Sequence, residues 1–307
     1  MATSKYNTRF LMLSLYHMPQ RKPVQKLIVV VGPTAAGKSE LAVKMAKKHN
    51  GEIISADSRQ IYRGLDIGTG KVPGRWRRGS YYYKGIRHHL IDVADPKRQV
   101  SAVQFQRLAG KAIREIAARG KLPIICGGTA HWVDAVIFGQ KFPQVKPDAK
   151  LRKELGKKSA KQLFARLKKL DPRRAAEIDQ KNPRRLVRAL EIVLATGKAI
   201  PELEQQTKFD VTWIGITKPQ PILYKKIDAR LRQWLKQGLL REVKKLHKRG
   251  VSWKRLEELG MDYKYAALHL EGEITYNEMV EKSSFSIKHY AKRQMTWWKR
   301  NKDIRWV

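Results

Sequence analysis

The stretch LIVVVGPTAAGKSE, residues 27–40, sets an apolar run against eight residues of the form GxxxxGK[ST] and then enters a helical pattern. A strand, a glycine-bounded turn and a helix in that order make the phosphate-binding P-loop of an α/β protein. The loop comprises Gly32, Pro33, Thr34, Ala35, Ala36, Gly37, Lys38 and Ser39. Its glycines let backbone N–H groups converge on phosphate oxygens, with the positive end of the following helix behind them. Lys38 is placed for the terminal phosphate of a diphosphate or triphosphate, and Ser39 for a magnesium ion.

Outward from the loop, Leu41, Met45 and Ala46 share one helical face, with Lys44, Lys47 and Lys48 away from it, and the helix should stop near Asn50-Gly51. Glu52 to Ala56 reads as a second strand, which completes a βαβ unit and implies a parallel sheet. Asp57-Ser58-Arg59-Gln60 then falls just past that strand's carboxyl end, where sheets of this class place their ligands. A helical pattern over 102–118 ends at Gly120, and Leu122 to Cys126 is a short buried strand running into Gly127-Gly128-Thr129. Residues 141–204 are polar and helical, with 18 lysines and arginines against 8 acids, and read as a helical insertion. Val211 to Ile216 returns to strand, and Pro221 to Arg300 reads as helices punctuated near Gly250, Gly260 and Gly272. The expected architecture is a P-loop NTPase-like parallel sheet flanked by helices, built from 27–140 and 205–307, with 141–204 inserted.

The chain carries 65 Lys and Arg against 27 Asp and Glu, a formal net charge of +38. That excess points to a polyanionic partner, the bland alternative being a generally basic proteome. No acid lies between Asp66 and Asp92, where Lys71, Arg75, Arg77, Arg78, Lys84 and Arg87 interleave with Trp76 and Tyr81 to Tyr83. Cations mixed with aromatics suit nucleic acid better than a membrane. One cysteine, Cys126, excludes an internal disulfide and a multi-cysteine zinc site, and fits a reducing, cytoplasmic setting. No apolar stretch reaches the roughly 20 residues of a membrane span. Residues 1–26 read as a disordered extension, a start at Met12 or Met18 or a transit peptide being the other readings.

Several further blocks, in order, are ISADSRQIYRGLDIGTGK at 54–71, HHLIDVADP at 88–96, GGT at 127–129, NPRRLVRALEI at 182–192 and AKRQMTWWKR at 291–300. With the P-loop they make the chain resemble the tRNA dimethylallyltransferases over roughly Leu27 to Trp306. The resemblance implies transfer of a five-carbon allyl group from dimethylallyl diphosphate to the exocyclic amine of the adenosine 3′ to the anticodon of certain tRNAs, by a monomeric enzyme using Mg2+. It implies that residues 32–39 and Arg230 hold the diphosphate. It further implies Asp57 as the base that takes the amine proton, with Thr129 beside the reacting base and Ser58, Arg59 and Gln60 lining the adenosine pocket. Arg184, Arg185 and Arg188, with Lys292, Arg293 and Gln294, fall in segments that touch tRNA in that family, and the target base must be extruded from its stack to reach the crevice.

Each residue also has a plainer reading. An Asp-Ser pair commonly caps a turn, Thr129 reads as a plain strand-end hydroxyl, and a lone arginine is most simply a solvated helix face. His88-His89 lacks the cysteine or carboxylate cluster of a metal site, and one of Trp297 and Trp298 is expected to be packing. The chain departs from the family after GGT, where Ala130-His131-Trp132 stands and is expected to reshape the wall beside the prenyl group or base, and at Gln220, Lys226 and Met261-Asp262-Tyr263. Two other functions compete: a small-molecule kinase using ATP, which would turn over ATP without tRNA, and a non-catalytic RNA-binding protein. The complete set of Lys38, Ser39, Asp57, Thr129 and Arg230 speaks against decay.

Overall fold

The computed structural model describes residues 24–140, 142–202 and 207–307. Backbone packing divides the chain into two units, one formed by the chain up to Val133 and from Thr207 onward, the other by Asp134–Gln206.

The first unit is organised on an eight-stranded sheet. In chain order the strands are β1 (Gln25–Val31), β2 (Gly51–Ser55), β3 (Arg75–Arg77), β4 (Ser80–Tyr83), β5 (Ile86–His89), β6 (Leu122–Cys126), β7 (Phe209–Gly215) and β8 (Arg305–Trp306). Across the sheet they run β3-β4-β5-β2-β6-β1-β7-β8. From β5 to β8 all pairings are parallel, while β3 and β4 add an antiparallel hairpin at one edge. Central strands of a parallel sheet are covered on both faces, which is why β1 reads as an unbroken apolar run and Leu27, Val29, Val30 and Val31 are buried. Strand β1 begins at Gln25, so Gln25 and Lys26 belong to the sheet and not to the expected extension; residues 1–23 lie outside the described residues.

Helix α1 (Lys38–Lys48) leaves the P-loop, and α2 (Ala102–Ala118) opens on a Ser101–Gln104 capping box before packing Phe105, Ala109, Ile113 and Ile116 inward. After β6, α3 (Ala130–Ile137) begins. Trp132, expected to shape the ligand wall, is buried and stacks on Phe105 with ring centroids 4.3 Å apart, so it is core. The unit closes with α8 (Gln220–Gln237), α9 (Leu239–Lys248), α10 (Trp253–Leu259), α11 (Met261–Leu270) and α12 (Tyr276–Trp298).

The second unit contains α4 (Ala149–Leu155), α5 (Ala160–Leu170), α6 (Pro172–Glu177) and α7 (Pro183–Thr196). Its core is leucine-rich, with Leu155, Leu163, Leu167, Leu186 and Leu190 fully buried. The NPRR segment has a local explanation: the Asn182 side chain caps α7 by accepting from Arg185 N–H, and Pro183 takes the first turn. The bounds expected from sequence for this insertion, Lys141 and Glu204, both fall outside the described residues.

Candidate active site

Strands β2, β6 and β1 are neighbours, and Ser55, Cys126 and Val30 stand in one row across them. Their carboxyl ends therefore deliver, side by side, the 57–60 turn, Gly127-Gly128-Thr129 and the P-loop. Gly127 must be glycine, because a Cβ there would lie 2.2 Å from the Ala56 carbonyl oxygen. Ala56 N–H donates to Cys126 O at 2.8 Å and Thr129 N–H to Ala56 O at 3.2 Å, which laces the first two loops together.

The P-loop takes the conformation its glycines predict. Gly32 and Gly37 have φ of 139° and 109°, and a Cβ on Gly32 would meet the Ile216 carbonyl oxygen at 2.1 Å. Lys38 Nζ donates to Pro33 O at 2.7 Å. Packing around the ammonium lowers its pKa to about 8, with Arg230 pushing the same way and Asp57 opposing. Arg230, from α8, donates to Thr34 Oγ1 at 2.6 Å and lies over the Trp234 ring at 4.6 Å. Burial holds the Arg230 pKa down to about 10. Two cations are thus crowded at the mouth of the phosphate loop, an electrostatic setting suited to an anion.

Asp57 divides its work between its two oxygens. Oδ1 accepts from the N–H groups of Arg59 (2.9 Å) and Gln60 (3.2 Å), the turn cap anticipated as its plain reading. No hydrogen bond among the described residues engages Oδ2. The carboxylate's charge is felt by Lys38, Arg59, Arg230 and Tyr290, where it adds to burial in pushing the Tyr290 phenol up to about 12.

The remaining expected residues sort differently. Thr129 Oγ1 accepts from Ser58 N–H at 3.0 Å and so braces the turn that carries Asp57. Gln60 holds the wall, bonded to Ser55 Oγ (3.1 Å) and donating to Thr69 O (3.2 Å). Arg59, expected to line the adenosine pocket, turns inward to the fully buried Asp262 at 2.8 Å; burial works against its charge, but Asp262 and Asp57 prevail and raise its pKa. Lys292 and Arg293 are exposed on α12, but Gln294 is not an RNA-facing residue. It is 4% exposed; its Oε1 accepts from Thr34 N–H at 2.8 Å and its Nε2 donates to Gly128 O at 2.9 Å. The α-helical period places every third or fourth residue inward, and Gln294 falls in line with Ile287, Ala291 and Trp298.

In the second unit Arg184 and Arg185 are exposed on the first turn of α7. Arg188 is held instead by the buried Glu191 and by Val145 O at 3.0 Å. Burial pushes Glu191 up, but Arg152, the Asp148 N–H and Arg188 outweigh it and bring it down to about 2. Arg188 is therefore engaged in an ion pair with a residue three positions on in its own helix, a relation readable in sequence.

Residues not anticipated include Trp234, Glu242, Asp262 and Tyr290. Glu242 on α9 accepts from the N–H groups of Asp66 and Ile67 and from Tyr263 OH at 2.6 Å, pinning the segment after the 57–60 turn. Tyr290 OH donates to Gly128 O at 3.2 Å. Trp234 sits one helical turn from Arg230, an i,i+4 relation readable in sequence; the others come from distant helices and leave no local signal.

Gln294 gives a direct test of the tether. Replacing it by Leu should leave Thr34 N–H without its acceptor and Gly128 O with Tyr290 OH alone, costing about 1–3 kcal/mol. Most of that should appear as a higher KM for the phosphorylated substrate, with a smaller change in KM for the acceptor. Unchanged steady-state constants in a folded Gln294→Leu protein would remove the tether from the site's function.

A P-loop with two crowded cations beside a carboxylate on the next loop is chemically suited to a phosphorylated group and to proton removal next to it. The chain matches the IPP transferase family over residues 60–301 and the isopentenyl transferase family over 25–75. It is 41% identical over 284 residues to a tRNA dimethylallyltransferase of Roseiflexus sp. (strain RS-1), covering 91% of each chain, and 38% identical over 287 residues to that of Anoxybacillus flavithermus, covering 92% of this chain and 90% of the relative. Among solved structures, a tRNA isopentenylpyrophosphate transferase from Bacillus halodurans superposes with TM-score 0.68 at 37% identity, over 92% of this chain and 89% of that one. A eukaryotic dimethylallyltransferase acting on tRNA gives TM-score 0.75 at 27% identity, over 92% and 73%. The chain belongs to the IPP transferase family.

Proposed function

We propose that this protein transfers the dimethylallyl group of dimethylallyl diphosphate to the exocyclic amine of the adenosine 3′-adjacent to the anticodon of certain tRNAs. The observation that supports this reading is the convergence of three strand ends, which brings the Lys38 and Arg230 cations within electrostatic reach of Asp57. The reaction forms a bond between the amine nitrogen and the allylic carbon, breaks that carbon's bond to the diphosphate oxygen, and delivers the amine proton to Asp57. Charge builds on the departing diphosphate, so P-loop N–H groups, Lys38 and Arg230 act where they stabilise the transition state. The amine's lone pair is delocalised into its ring, and removal of its proton as the bond forms makes it a competent nucleophile.

Among the described residues no group of three His, Cys, Asp or Glu side chains could hold a metal. The protein's own contribution to a Mg2+ site is then Ser39, the second residue of α1, which fits an ion that keeps several waters and takes its other ligands from substrate phosphates. Bound there, Mg2+ would neutralise charge on the leaving diphosphate. Exposed Arg184, Arg185, Lys292 and Arg293 are assigned to tRNA phosphates, which position the loop without reading its sequence. No helix among the described residues is long and apolar enough to cross a membrane. We place the enzyme in the cytoplasm, acting as a monomer.

The test is transfer of labelled prenyl group from dimethylallyl diphosphate to a tRNA transcript with adenosines 3′ of the anticodon, beside a transcript lacking the target adenosine. Label is expected only in the intact transcript. Tight tRNA binding with no label in either would instead support a binding protein or another donor, and ATP turnover without tRNA would support a kinase.

A further inference from the structure

Strands β3 and β4 make a ribbon whose two turns are both of the two-residue kind: Arg78-Gly79 with φ of 47° and 70°, and Lys84-Gly85 with φ of 49° and 81°. The ribbon is joined to the active-site wall by a chain of specific bonds. Gln60 Nε2, at the crevice, donates to Thr69 O, and the Gly70 backbone packs on Trp234 beside Arg230. Lys71 is clamped by Asp66 and Asp92. Tyr81 OH donates to Val72 O at 2.6 Å and accepts from Gly74 N–H at 3.0 Å, which fixes the ribbon's base.

Alternation separates the ribbon's two faces. Trp76 and Tyr81 are paired in register and meet edge to face at 5.7 Å on one face, with Trp76 half exposed there. Arg75, Arg77 and Tyr82 fall on the other face. With Arg78, Tyr83 and Lys84 they line an open cavity of about 720 Å³. Arg75, Arg77 and Arg78 are exposed, and no acid occurs in the sequence between Asp66 and Asp92; Glu40 pairs with Lys84. β3 is the sheet's terminal strand, and a cationic edge is a usual guard against strand addition. A guard needs no tie to the active site, whereas here three exposed arginines gather on a ribbon braced to its wall.

We propose that the β3–β4 ribbon is a docking element for the tRNA phosphate backbone, holding the RNA beside the crevice through Arg75, Arg77 and Arg78. The proposal rests on the tRNA-modifying reading above. The ribbon contributes to acceptor binding and not to the chemical step, since none of the three arginines belongs to the phosphate loop or the 57–60 turn.

The test compares the unsubstituted protein with the Arg75→Ala/Arg77→Ala/Arg78→Ala variant. Affinity for full-length tRNA should fall about 10-fold or more, and the slope of log affinity against log salt should become shallower by up to about 2.7, at roughly 0.9 per lost phosphate contact. KM for tRNA should rise in step, while kcat and KM for dimethylallyl diphosphate stay within about twofold. The corresponding triple Lys variant should recover most of the affinity, and the single Arg77→Glu variant gives an independent reading should the triple Ala variant fail to fold. Unaltered tRNA affinity and salt slope in Arg77→Glu or the triple Ala variant of an active enzyme would overturn the ribbon's role alone. Absence of prenyl transfer by the unsubstituted enzyme would overturn the function proposed above, and is read out separately.

Discussion

Replacing Asp57 by Asn should lower prenyl transfer by about 10²-fold or more while leaving the fold and tRNA affinity within a few-fold of the unsubstituted protein, the scale expected of a lost general base. The choice of Asn follows from the geometry. Oδ1 caps the turn by accepting from Arg59 and Gln60 N–H, and an Asn side chain keeps an acceptor at that position. What it cannot do is take a proton. Asp57→Ala removes both functions, so the gap between the two variants reports the turn's contribution and the deficit they share reports the base. Circular dichroism and thermal unfolding would establish that Asp57→Asn is intact. Full turnover in an intact Asp57→Asn protein would exclude Asp57 as the base and leave the cap as its whole role.

Lys38→Met should have an effect of similar size through a different route. Removing a preorganised donor from developing charge typically costs about 2.7–4 kcal/mol, or roughly 10²- to 10³-fold in kcat. The lysine also predicts a pH profile. In the free protein its pKa is about 8, below the 10.5 of an exposed lysine, because burial disfavours the charged form. kcat/KM for dimethylallyl diphosphate should therefore hold below pH 8 and fall above it as the cation is lost, and Lys38→Met should abolish that limb. Stability runs the opposite way: between pH 8 and 10.5 the unfolded chain holds a proton on Lys38 that the folded chain has released, so this group's contribution to stability rises with pH across that window. The difference in thermal midpoint between the unsubstituted protein and Lys38→Met should shift in that sense from pH 8 to pH 10. Parallel midpoints across the range would mean that Lys38 is not desolvated as its packing indicates.

The features legible in the sequence are those with local causes. The P-loop, α2, β6 and the order of elements follow from apolar runs, glycines and caps within about a dozen residues. The ribbon of β3 and β4 went unread because its residues announce charge more loudly than strand. Yet Tyr81 to Tyr83 and two X-Gly pairs, Arg78-Gly79 and Lys84-Gly85, carried the signal of aromatic strand and tight turn. The site was legible as a set of loops, and less so as a set of roles. Gln294 and Arg59 look like surface groups in sequence, but each meets a partner that tertiary packing brings to it: Gly128 and Thr34, and Asp262; Arg188 pairs within its own helix with Glu191, and its distant contact is Val145 O. No periodicity distinguishes a polar side chain that faces RNA from one that completes a buried hydrogen bond.

The tether through Gln294 also dates the assembly of the catalytic centre. The loop it grips is among the earliest parts of the described chain to leave the ribosome, and the helix that supplies the grip is among the last, 260 residues later. A nascent chain could form its first strand and helix early, since those contacts are local. Its phosphate loop would still lack the acceptor for Thr34 N–H until α12 docks, so the loop reaches its finished form only after a segment 260 residues downstream has been made.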